Sequence, residues 1–361
     1  MANGGAEPLR EPRRSDAADP GAPDPGSGGA TRRRLMPLFA VAVGLAILGW
    51  LLHHAGLESV WERVKALGWA SPLILVPYAL VTLADALGWR YTLSATARAR
   101  IPFPSLTLSR MAGEAVNSLT PAAAVGGEPV KAYLLRPWHV RGAEALASVV
   151  ISKTALVASQ SLFTALGIAA LLLRLGRLRL ALGWLIVLIV VCLVFTLGLV
   201  WVQRRSPATA LWRALHRLVP RAAFVARLET GAAAFDVRLR EFYRWEPHAF
   251  LLAASCHFVG WLIGVAEVVV IVVLTGGAVT WLDAFIIETL SQPIRASALV
   301  IPASIGTQEL GGVWLCTFLG MSEAEALTLW LLKRAREMFF DGIGLLYLAR
   351  RTTSMQALKG A

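Results

Sequence analysis

The sequence carries little charge for its length. Only 16% of its 361 residues are Asp, Glu, Lys or Arg, whereas an ordinary soluble domain has about 25%. Hydrophobic residues make up 56%, and apolar windows of about 20 residues recur, which is the length that crosses a hydrocarbon core about 30 Å thick. The low charge argues against a soluble globular protein, and the windows predict an all-α, polytopic membrane protein.

Residues with metal-binding, redox or nucleotide-binding chemistry are also scarce. The three cysteines, Cys192, Cys256 and Cys316, lie in different apolar segments and are expected to be isolated apolar thiols. The six histidines make no His-Glu-x-x-His pattern, and no glycine loop of the P-loop type is present. We therefore expect no metal, no cofactor and no ATPase engine in this chain.

The charge that is present is mostly basic, with a formal net charge of +12. A nucleic-acid-binding protein could carry this charge, but the arginines concentrate in residues 1–34, in residues 203–247 and after residue 349, next to apolar runs. The positive-inside rule and anionic lipid headgroups produce this distribution. The expected partners are therefore membrane lipids, and no nucleic acid.

Six apolar segments define one membrane domain at residues 35–350. Residues 1–34 are rich in Gly, Pro, Ala and Arg and are predicted to be a disordered cytoplasmic tail, and residues 351–361 to be a second, short tail. Basic residues gather on the segments that a cytoplasmic start leaves inside, which predicts that both termini are cytoplasmic. The predicted spans are Leu35–Leu52, Ser71–Thr92, Gly142–Leu173, Leu180–Val202, His248–Leu274 and Ser322–Ala349.

Two further segments are predicted to lie on membrane surfaces. Leu57–Leu67 is short and charged, so it is expected on the outer interface. Residues 203–247 combine leucines with arginines and predict a basic amphipathic helix on the inner leaflet. At 45 residues this stretch is too small for a catalytic domain.

Two apolar segments, Ser105–Leu135 and Leu282–Leu319, are interrupted near their middle. Each half is too short to span, and proline removes a helix hydrogen bond and clashes with the preceding turn. We therefore predict two re-entrant hairpins of half-helices, which survive at membrane depth only where protein or water covers them. The predicted hinges are Pro121, Gly126, Gly127, Pro302 and Gly306.

The second half of the chain resembles the first at an offset of 181 residues. Eight of the 37 positions from 117 to 153 are identical to their counterparts. The two predicted repeats cover about residues 71–173 and 248–349, and their hairpins open from opposite sides, which defines an inverted-topology repeat typical of alternating-access transporters. The alternative is two unrelated proline-kinked segments. The matched positions include Pro121/Pro302, Glu128/Glu309 and the cations Lys153/Arg334.

Many ionisable and amide side chains fall at membrane depth, where a charge costs roughly 2.5–3.5 kcal/mol. They predict a hydrated polar cavity in which cations attract an anionic group and carboxylates balance them; the alternative is structural pairing alone. Asp85 and Glu267 are further intramembrane acids, ranked below the others. The candidate substrate-binding residues are Glu114, Asn117, Glu128, Lys153, Gln292, Arg295, Glu309 and Arg334. The secondary candidates are Arg110, Lys131, Glu288, Gln308, Lys333, Arg336, Glu337 and Asp341.

Two of these segments resemble the signatures of a known family. Gly113-Glu114 to Pro121, followed by Gly126-Gly127-Glu128-Pro129-Val-Lys131, resembles the first signature of the bacterial flippase-like membrane family, which includes the transmembrane region of lysylphosphatidylglycerol synthases. The run from Pro302 to Glu309 resembles its second signature. The resemblance covers about residues 35–350, and residues 333–337 are similar to those of hopanoid-associated members.

The resemblance implies lipid translocation or lipid handling in the bacterial inner membrane, by a multi-pass protein that is not an enzyme. In full synthases a soluble aminoacyl-transferase domain follows the membrane region, whereas about a dozen residues follow the last predicted span here, so lysyl transfer is not expected. The headgroup would be anionic or isoprenoid. The first alternative is a scaffold that docks lipid- or hopanoid-biosynthesis enzymes through residues 203–247. The second is an intramembrane lipid-modifying enzyme, for which no residue spacing supplies a nucleophile or an acid–base pair. The lipid, its direction, the energy source and the oligomeric state are left open.

Overall fold

The computed structural model describes residues 49–51, 53–54, 57–120, 126–218, 223–297 and 306–360. Every regular element in these ranges is helical, which confirms the predicted all-α fold. Two short 3-10 segments lie at Gly68–Ile74 and at Arg136–Trp138. The helices are α1 (Leu57–Ala66), α2 (Leu75–Thr92), α3 (Ala95–Arg100), α4 (Phe103–Leu119), α5 (Gly127–Leu134), α6 (Gly142–Arg174), α7 (Leu178–Arg204), α8 (Pro207–Leu218), α9 (Ala223–Trp245), α10 (Pro247–Leu274), α11 (Trp281–Ser297), α12 (Thr307–Phe318) and α13 (Glu323–Gly360).

Four helical stretches are long and apolar enough to cross a membrane: Gly68–Thr92, Gly142–Arg174, Leu178–Arg204 and Pro247–Leu274. They coincide with four of the six predicted spans, so the chain is a multi-pass membrane protein. The apolar window of α7 has none of its residues buried. A helix that is apolar and keeps most of its surface exposed, although one side packs on α6, is suited to contact acyl chains.

The other two predicted spans have different outcomes. Leu35–Leu52 lies almost entirely outside the described residues. Ser322–Ala349 is part of α13, a single helix of 38 residues that is about 57 Å long and continues through the predicted C-terminal tail. Because α13 carries five charged side chains between Lys333 and Asp341, it is not among the four apolar helices.

Both interrupted segments form pairs of separate helices, as predicted. α4 and α5 pack closely, because a Cβ atom on Gly127 would lie 1.8 Å from the backbone oxygen of Gly113. α12 begins after Gly306, whose φ of +78° lies in the left-handed region that favours glycine. The two predicted hinge prolines, Pro121 and Pro302, lie outside the described residues.

The helices of the two halves pack in matching ways. The first hairpin helix of each half lies on the last long helix of the other half, α4 on α13 and α11 on α6. The second hairpin helices pack on the long helix of their own half, α5 on α6 and α12 on α13. The helices that precede the hairpins, α2 and α10, pack on each other. The two halves therefore interlock in one bundle.

The basic stretch at residues 203–247 forms two helices, α8 and α9, rather than the single amphipathic helix predicted. Asp236 of α9 accepts hydrogen bonds from the backbone N–H groups of Ala208 and Thr209, 3.1 and 2.8 Å away, and so caps the start of α8. Tyr243 of α9 donates its hydroxyl to the side chain of Gln203 of α7 at 2.7 Å. Burial raises the pKa of Tyr243 above its usual value. These bonds hold the pair of helices against the end of α7.

Candidate functional site

The first hairpin carries a cluster of alternating charges that continues onto α6. Lys131 Nζ of α5 lies 2.7 Å from Glu114 Oε1 of α4 and 3.0 Å from Glu128 Oε2. Lys153 Nζ of α6 lies 3.4 Å from the other oxygen of Glu128. Arg110 lies 3.9 Å from Glu114 on the same face of α4. The sequence-predicted residues of the first half are therefore brought together, and their ion pairs connect α4, α5 and α6.

The local structure at the start of α5 explains how Glu128 is placed. α5 begins at Gly127, so Glu128 is its second residue and Pro129 its third. Pro129 is tolerated because the first four N–H groups of a helix have no intrahelical partner. Asn117 Oδ1 accepts the Gly127 N–H at 2.7 Å, which ties α4 to the start of α5. The helix dipole favours a carboxylate at this end.

The second half carries an equivalent cluster on α11, α12 and α13. Arg334 of α13 lies 2.9 Å from Glu309 Oε1 of α12. The other oxygen of Glu309 accepts the backbone N–H of Gly306 at 2.8 Å. Glu337 accepts Arg295 of α11 at 2.9 Å and lies 3.5 Å from Arg334. The ion pairs of this cluster connect its three helices, as in the first half.

The two clusters share one contact at the offset of 181 residues. Lys153 pairs with Glu128, and Arg334, which is 181 positions later, pairs with Glu309. In both cases the cation lies on the long helix and the carboxylate lies in the first turn of the second hairpin helix. The sequence offset thus corresponds to the same three-dimensional relationship in both halves.

A more deeply buried layer of charges contains Asp85 and Glu267. From the sequence, these two acids were ranked as weaker candidates than the others. Arg110 Nη2 lies 2.6 Å from Asp85 Oδ2. Arg336 Nε lies 2.5 Å from Glu267 Oε1, and Lys333 Nζ lies 3.4 Å from Glu267 Oε2. Glu267 is 1% exposed. Because a buried charge is costly without a partner, these two acids hold their arginines and are central to both clusters.

His257 is a site residue that the sequence analysis missed. It is 1% exposed on α10, its Nδ1 lies 2.6 Å from Asp85 Oδ1, and its Nε2 lies 3.3 Å from Ser152 Oγ of α6. The histidines were considered only for metal spacing, although a lone polar side chain in an apolar span is itself a signal.

The arrangement of Ser152, His257 and Asp85 has the connectivity of a hydrolase triad. A triad also requires donors for the oxyanion that forms on the substrate. Ser152 lies in the middle of α6, where backbone N–H groups are used by the helix. The neighbouring backbone of α6 therefore offers no oxyanion hole.

The remaining predicted residues lie at the edges of the clusters. Gln292 of α11 accepts a hydrogen bond from Gln160 of α6 at 3.4 Å, and Asp341 of α13 interacts with Ser118 of α4. The other contacts are Lys333 with Glu288 at 2.5 Å and Arg334 with Gln308 at 3.5 Å. In the part of the chain that the structure describes, no three His, Cys, Asp or Glu side chains are grouped to hold a metal ion.

The exposure of the cations differs sharply. The side chain of Lys333 is 2% exposed, whereas those of Lys153 and Arg295 are 37% and 41% exposed. A small cavity of about 20 Å³ lies within the first cluster and has room for one water molecule. Its charged and titratable lining residues are Arg110, Glu114, Glu128, Lys131, Lys153 and His257. The cluster is therefore closed to larger groups in this conformation, while Lys153 and Arg295 stay accessible from outside.

No curated protein and no solved structure matches the chain. The family model that does match is described as the lysylphosphatidylglycerol synthase TM region, and it covers residues 38–343. This range includes the four apolar helices, both hairpins and both clusters. The chain therefore belongs to the lysylphosphatidylglycerol synthase TM region family, which implies a membrane protein involved in lipid handling.

Proposed function

We propose that this chain is a lipid translocase of the bacterial inner membrane. A lipid headgroup binds at the two charged clusters while its tails stay in the bilayer. The observation that carries the proposal is the repeated contact of a long-helix cation with a hairpin carboxylate, Lys153 with Glu128 and Arg334 with Glu309. The lipid-handling family supports it. The proposed action is movement of the lipid without covalent change.

The chemistry of the exposed cations favours an anionic headgroup, such as a phosphate. Lys153 and Arg295 are the most accessible of the paired cations in the clusters described above, and a phosphate forms strong charge-assisted hydrogen bonds with such groups. Each cation now faces a carboxylate, so the headgroup has to displace Glu128 or Glu337. The carboxylates thus occupy the place that the headgroup takes.

The displaced carboxylates keep other partners. Glu128 retains Lys131, 3.0 Å away, when Lys153 turns to a ligand. Glu337 retains Arg334, 3.5 Å away, when Arg295 does so. Removing the sole partner of a buried charge costs about 3–5 kcal/mol, and a second partner avoids most of this cost. The exchange of carboxylate for headgroup is therefore energetically accessible at both cations.

The proposal includes an inverted-topology repeat and alternating access. The matched packing of α4 on α13 and of α11 on α6 supports it, because pseudo-symmetric halves exchange roles when a transporter changes the side to which it opens. The one-water cavity of the first cluster represents a closed state. Separation of a hairpin from the long helix that carries its cation would widen this cavity to admit a headgroup.

A groove on the outer side of α2 offers a place for a lipid tail. It is shallow and open, and it is lined by Leu83, Ala84, Leu87 and Phe103 together with Arg90. Apolar side chains beside a cation suit a lipid tail and its phosphate, which supports the proposal that lipids approach from the side of the bundle. The proposal places both termini of the chain in the cytoplasm, on the basis of the distribution of basic residues.

The proposal is tested with purified chain in phosphatidylglycerol vesicles that contain nitrobenzoxadiazole-labelled phosphatidylglycerol in both leaflets. Dithionite bleaches the outer leaflet, so further loss of fluorescence reports movement of lipid. We expect the wild-type chain to accelerate this loss and Lys153→Gln with Arg295→Gln, which removes the two most accessible paired cations of the clusters, to abolish the acceleration. Arg213→Gln, on the exposed surface of α8, is the matched charge control. The proposal is wrong if no phosphate-bearing lipid moves faster than in protein-free vesicles.

A second candidate, a scaffold for lipid-synthesis enzymes, is favoured by the surface of α8. Leu211 and Leu218 are 71% and 80% exposed next to the exposed Arg213 and Arg217. A partner protein or the membrane surface would cover these residues. Two variants separate the candidates. If the chain is a scaffold, deletion of residues 207–245 abolishes binding of its partners and Lys153→Gln has no effect on function. If the chain is a translocase, Lys153→Gln impairs lipid movement.

A further inference from the structure

The two halves differ at one position of the buried charge layer. In the second half, Lys333 Nζ lies 3.4 Å from the buried carboxylate of Glu267. The residue 181 positions earlier is Ser152, which has no charge. Ser152 Oγ contacts His257 Nε2 at 3.3 Å, and His257 Nδ1 contacts Asp85 at 2.6 Å. An imidazole and a hydroxyl thus take the place that a lysine side chain takes in the other half.

This replacement changes what the cluster can do. Lysine normally stays charged at physiological pH, whereas histidine changes its charge between pH 5 and 8. Three carboxylates and three cations line the cavity of the first half or contact a residue that lines it, so their sum is zero while His257 is neutral and +1 when it is protonated. These groups are Asp85, Glu114 and Glu128 against Arg110, Lys131 and Lys153.

We propose that His257 is a proton-binding site and that a proton and an anionic headgroup bind the first cluster together. This inference rests on the proposed function and supplies its coupling ion. The protonated cluster has one net positive charge, which an anionic headgroup neutralises. By linkage, the headgroup strengthens proton binding by the same factor as the proton strengthens headgroup binding.

The geometry defines where the proton goes. The Asp85 carboxylate accepts from Nδ1–H, so neutral His257 keeps its lone pair on Nε2 and accepts the Ser152 hydroxyl. A proton that enters the cavity binds Nε2, which becomes a donor to Ser152 Oγ. The Ser152 hydroxyl then turns its own proton away from the ring. Because Lys153 lines the same cavity as His257, it experiences the added positive charge.

The charged neighbours of His257 account for the coupling. Asp85 favours the protonated ring, whereas Arg110 and Lys153 oppose it through like charge. An anion that binds Lys153 removes part of this opposition, which is why ligand and proton bind together. The groups that face the ring or its cavity are Asp85 of α2, Arg110 and Glu114 of α4, Glu128 and Lys131 of α5, and Ser152 and Lys153 of α6, with Cys256 next to it on α10.

The packing of α2 against α10 also leaves space for the imidazole ring of His257. A Cβ atom on Gly88 of α2 would lie 2.9 Å from His257 Nε2, so this glycine makes the space that the imidazole fills. Because α2 and α10 form one of the helix pairs that pack across the two halves, a charge change at their contact acts on the interface between the halves.

The first test does not depend on transport. Full-length chain with ¹⁵N-labelled histidine is placed in nanodiscs of phosphatidylglycerol or of phosphatidylcholine, and His257→Gln identifies the signal of His257. Spectra are recorded from pH 8 to pH 5, and at the same pH we expect a larger protonated fraction of the His257 ring with the anionic lipid. A ring that keeps one charge state across this range in both lipids overturns the inference.

The second test measures labelled-phosphatidylglycerol movement against pH. We expect the apparent affinity of the wild-type chain to rise at least about fivefold from pH 8 to pH 6, and that of His257→Gln to change little. His257→Asn is a second variant in case the first unfolds, and His248→Gln, exposed on the same helix, is the control. Identical pH profiles for wild type and variants overturn the proton site and leave translocation intact. A histidine that titrates in a chain that moves no lipid overturns translocation and leaves the proton site intact.

Discussion

The guanidinium of Arg334 lies 2.9 Å from the carboxylate of Glu309 and joins α13 to the second hairpin. The Glu309 side chain is 3% exposed and that of Arg334 is 17% exposed. Glu309 also accepts the N–H of Gly306, so it both caps α12 and anchors it to α13. The equivalent carboxylate, Glu128, accepts no backbone N–H at the start of α5 in the described contacts. It instead forms ion pairs with two lysines, Lys131 and Lys153.

The two partners of this pair are expected to differ in their effect on stability. Arg334→Gln leaves the buried carboxylate of Glu309 with the Gly306 N–H, and we expect a loss of about 3–5 kcal/mol in the free energy of unfolding. Glu309→Gln leaves Arg334 with Glu337, 3.5 Å away, and should cost clearly less. Denaturation in mixed micelles measures both. An equal or reversed order contradicts the assigned pairing.

Lys153 is expected to matter more for transport than for stability. Its side chain is 37% exposed, and such pairs contribute about 0–1 kcal/mol to folding. A charge-assisted hydrogen bond to a ligand contributes about 1.5–3 kcal/mol, so Lys153→Gln should lower the rate of lipid movement by about tenfold or more. The dithionite assay and a micelle denaturation series on the same variant separate the two effects. A variant that unfolds easily and transports normally when folded contradicts the role.

Gly127→Ala is expected to disrupt the first hairpin. The new Cβ atom would lie 1.8 Å from the backbone oxygen of Gly113, and backbone cannot move aside as a side chain can. We expect a loss of about 3 kcal/mol or more in unfolding free energy, together with a lower yield of folded protein. Gly183→Ala in α7 is the control, because nothing lies within 4 Å of its Cβ. Since alanine is the better helix former, the control should be neutral or slightly stabilising.

Asp236→Ala is expected to free α8 from α9. The carboxylate accepts the N–H groups of Ala208 and Thr209, and loss of such a cap costs about 0.5–2 kcal/mol. Trypsin should then cleave faster after Arg213 or Arg217, which limited proteolysis followed by mass spectrometry measures. Cleavage at the same rate as in the wild-type chain would show that the cap does not hold α8. Asp236→Asn, which keeps an acceptor oxygen, should fall between the two.

The parts of the fold that local chemistry determines could be predicted from the sequence. The half-helices were predicted from proline and glycine inside apolar runs, and in the described residues α4 ends at Leu119 and α12 begins after Gly306. The candidate residues could be selected because a charge at membrane depth is costly wherever it is. The residue at which α5 starts could not be predicted, since it depends on contacts such as the hydrogen bond that Asn117 of α4 accepts from the Gly127 N–H.

The pairing of these residues could not be predicted, because it joins distant parts of the chain. Arg336 and Glu267 are 69 positions apart, and His257 and Asp85 are 172 positions apart. Periodicity in the sequence predicts on which face of its helix a side chain lies. It does not predict which other helix packs against that face. The contacts of His257 with Asp85 and Ser152 are therefore visible only in the packing of α2, α6 and α10.

The lipid-facing helix α7 has a consequence beyond its own contacts. It turns back from α6 at Gly176, whose φ is +70°, and few positions along it are constrained by neighbouring protein. In the proposed inverted-topology arrangement, one crossing by α7 places the start of α10 on the opposite side of the bilayer from the start of α2. The proposed inversion thus depends on the helix whose sequence is least constrained by neighbouring protein, and an even number of crossings at this place would leave both halves facing the same way.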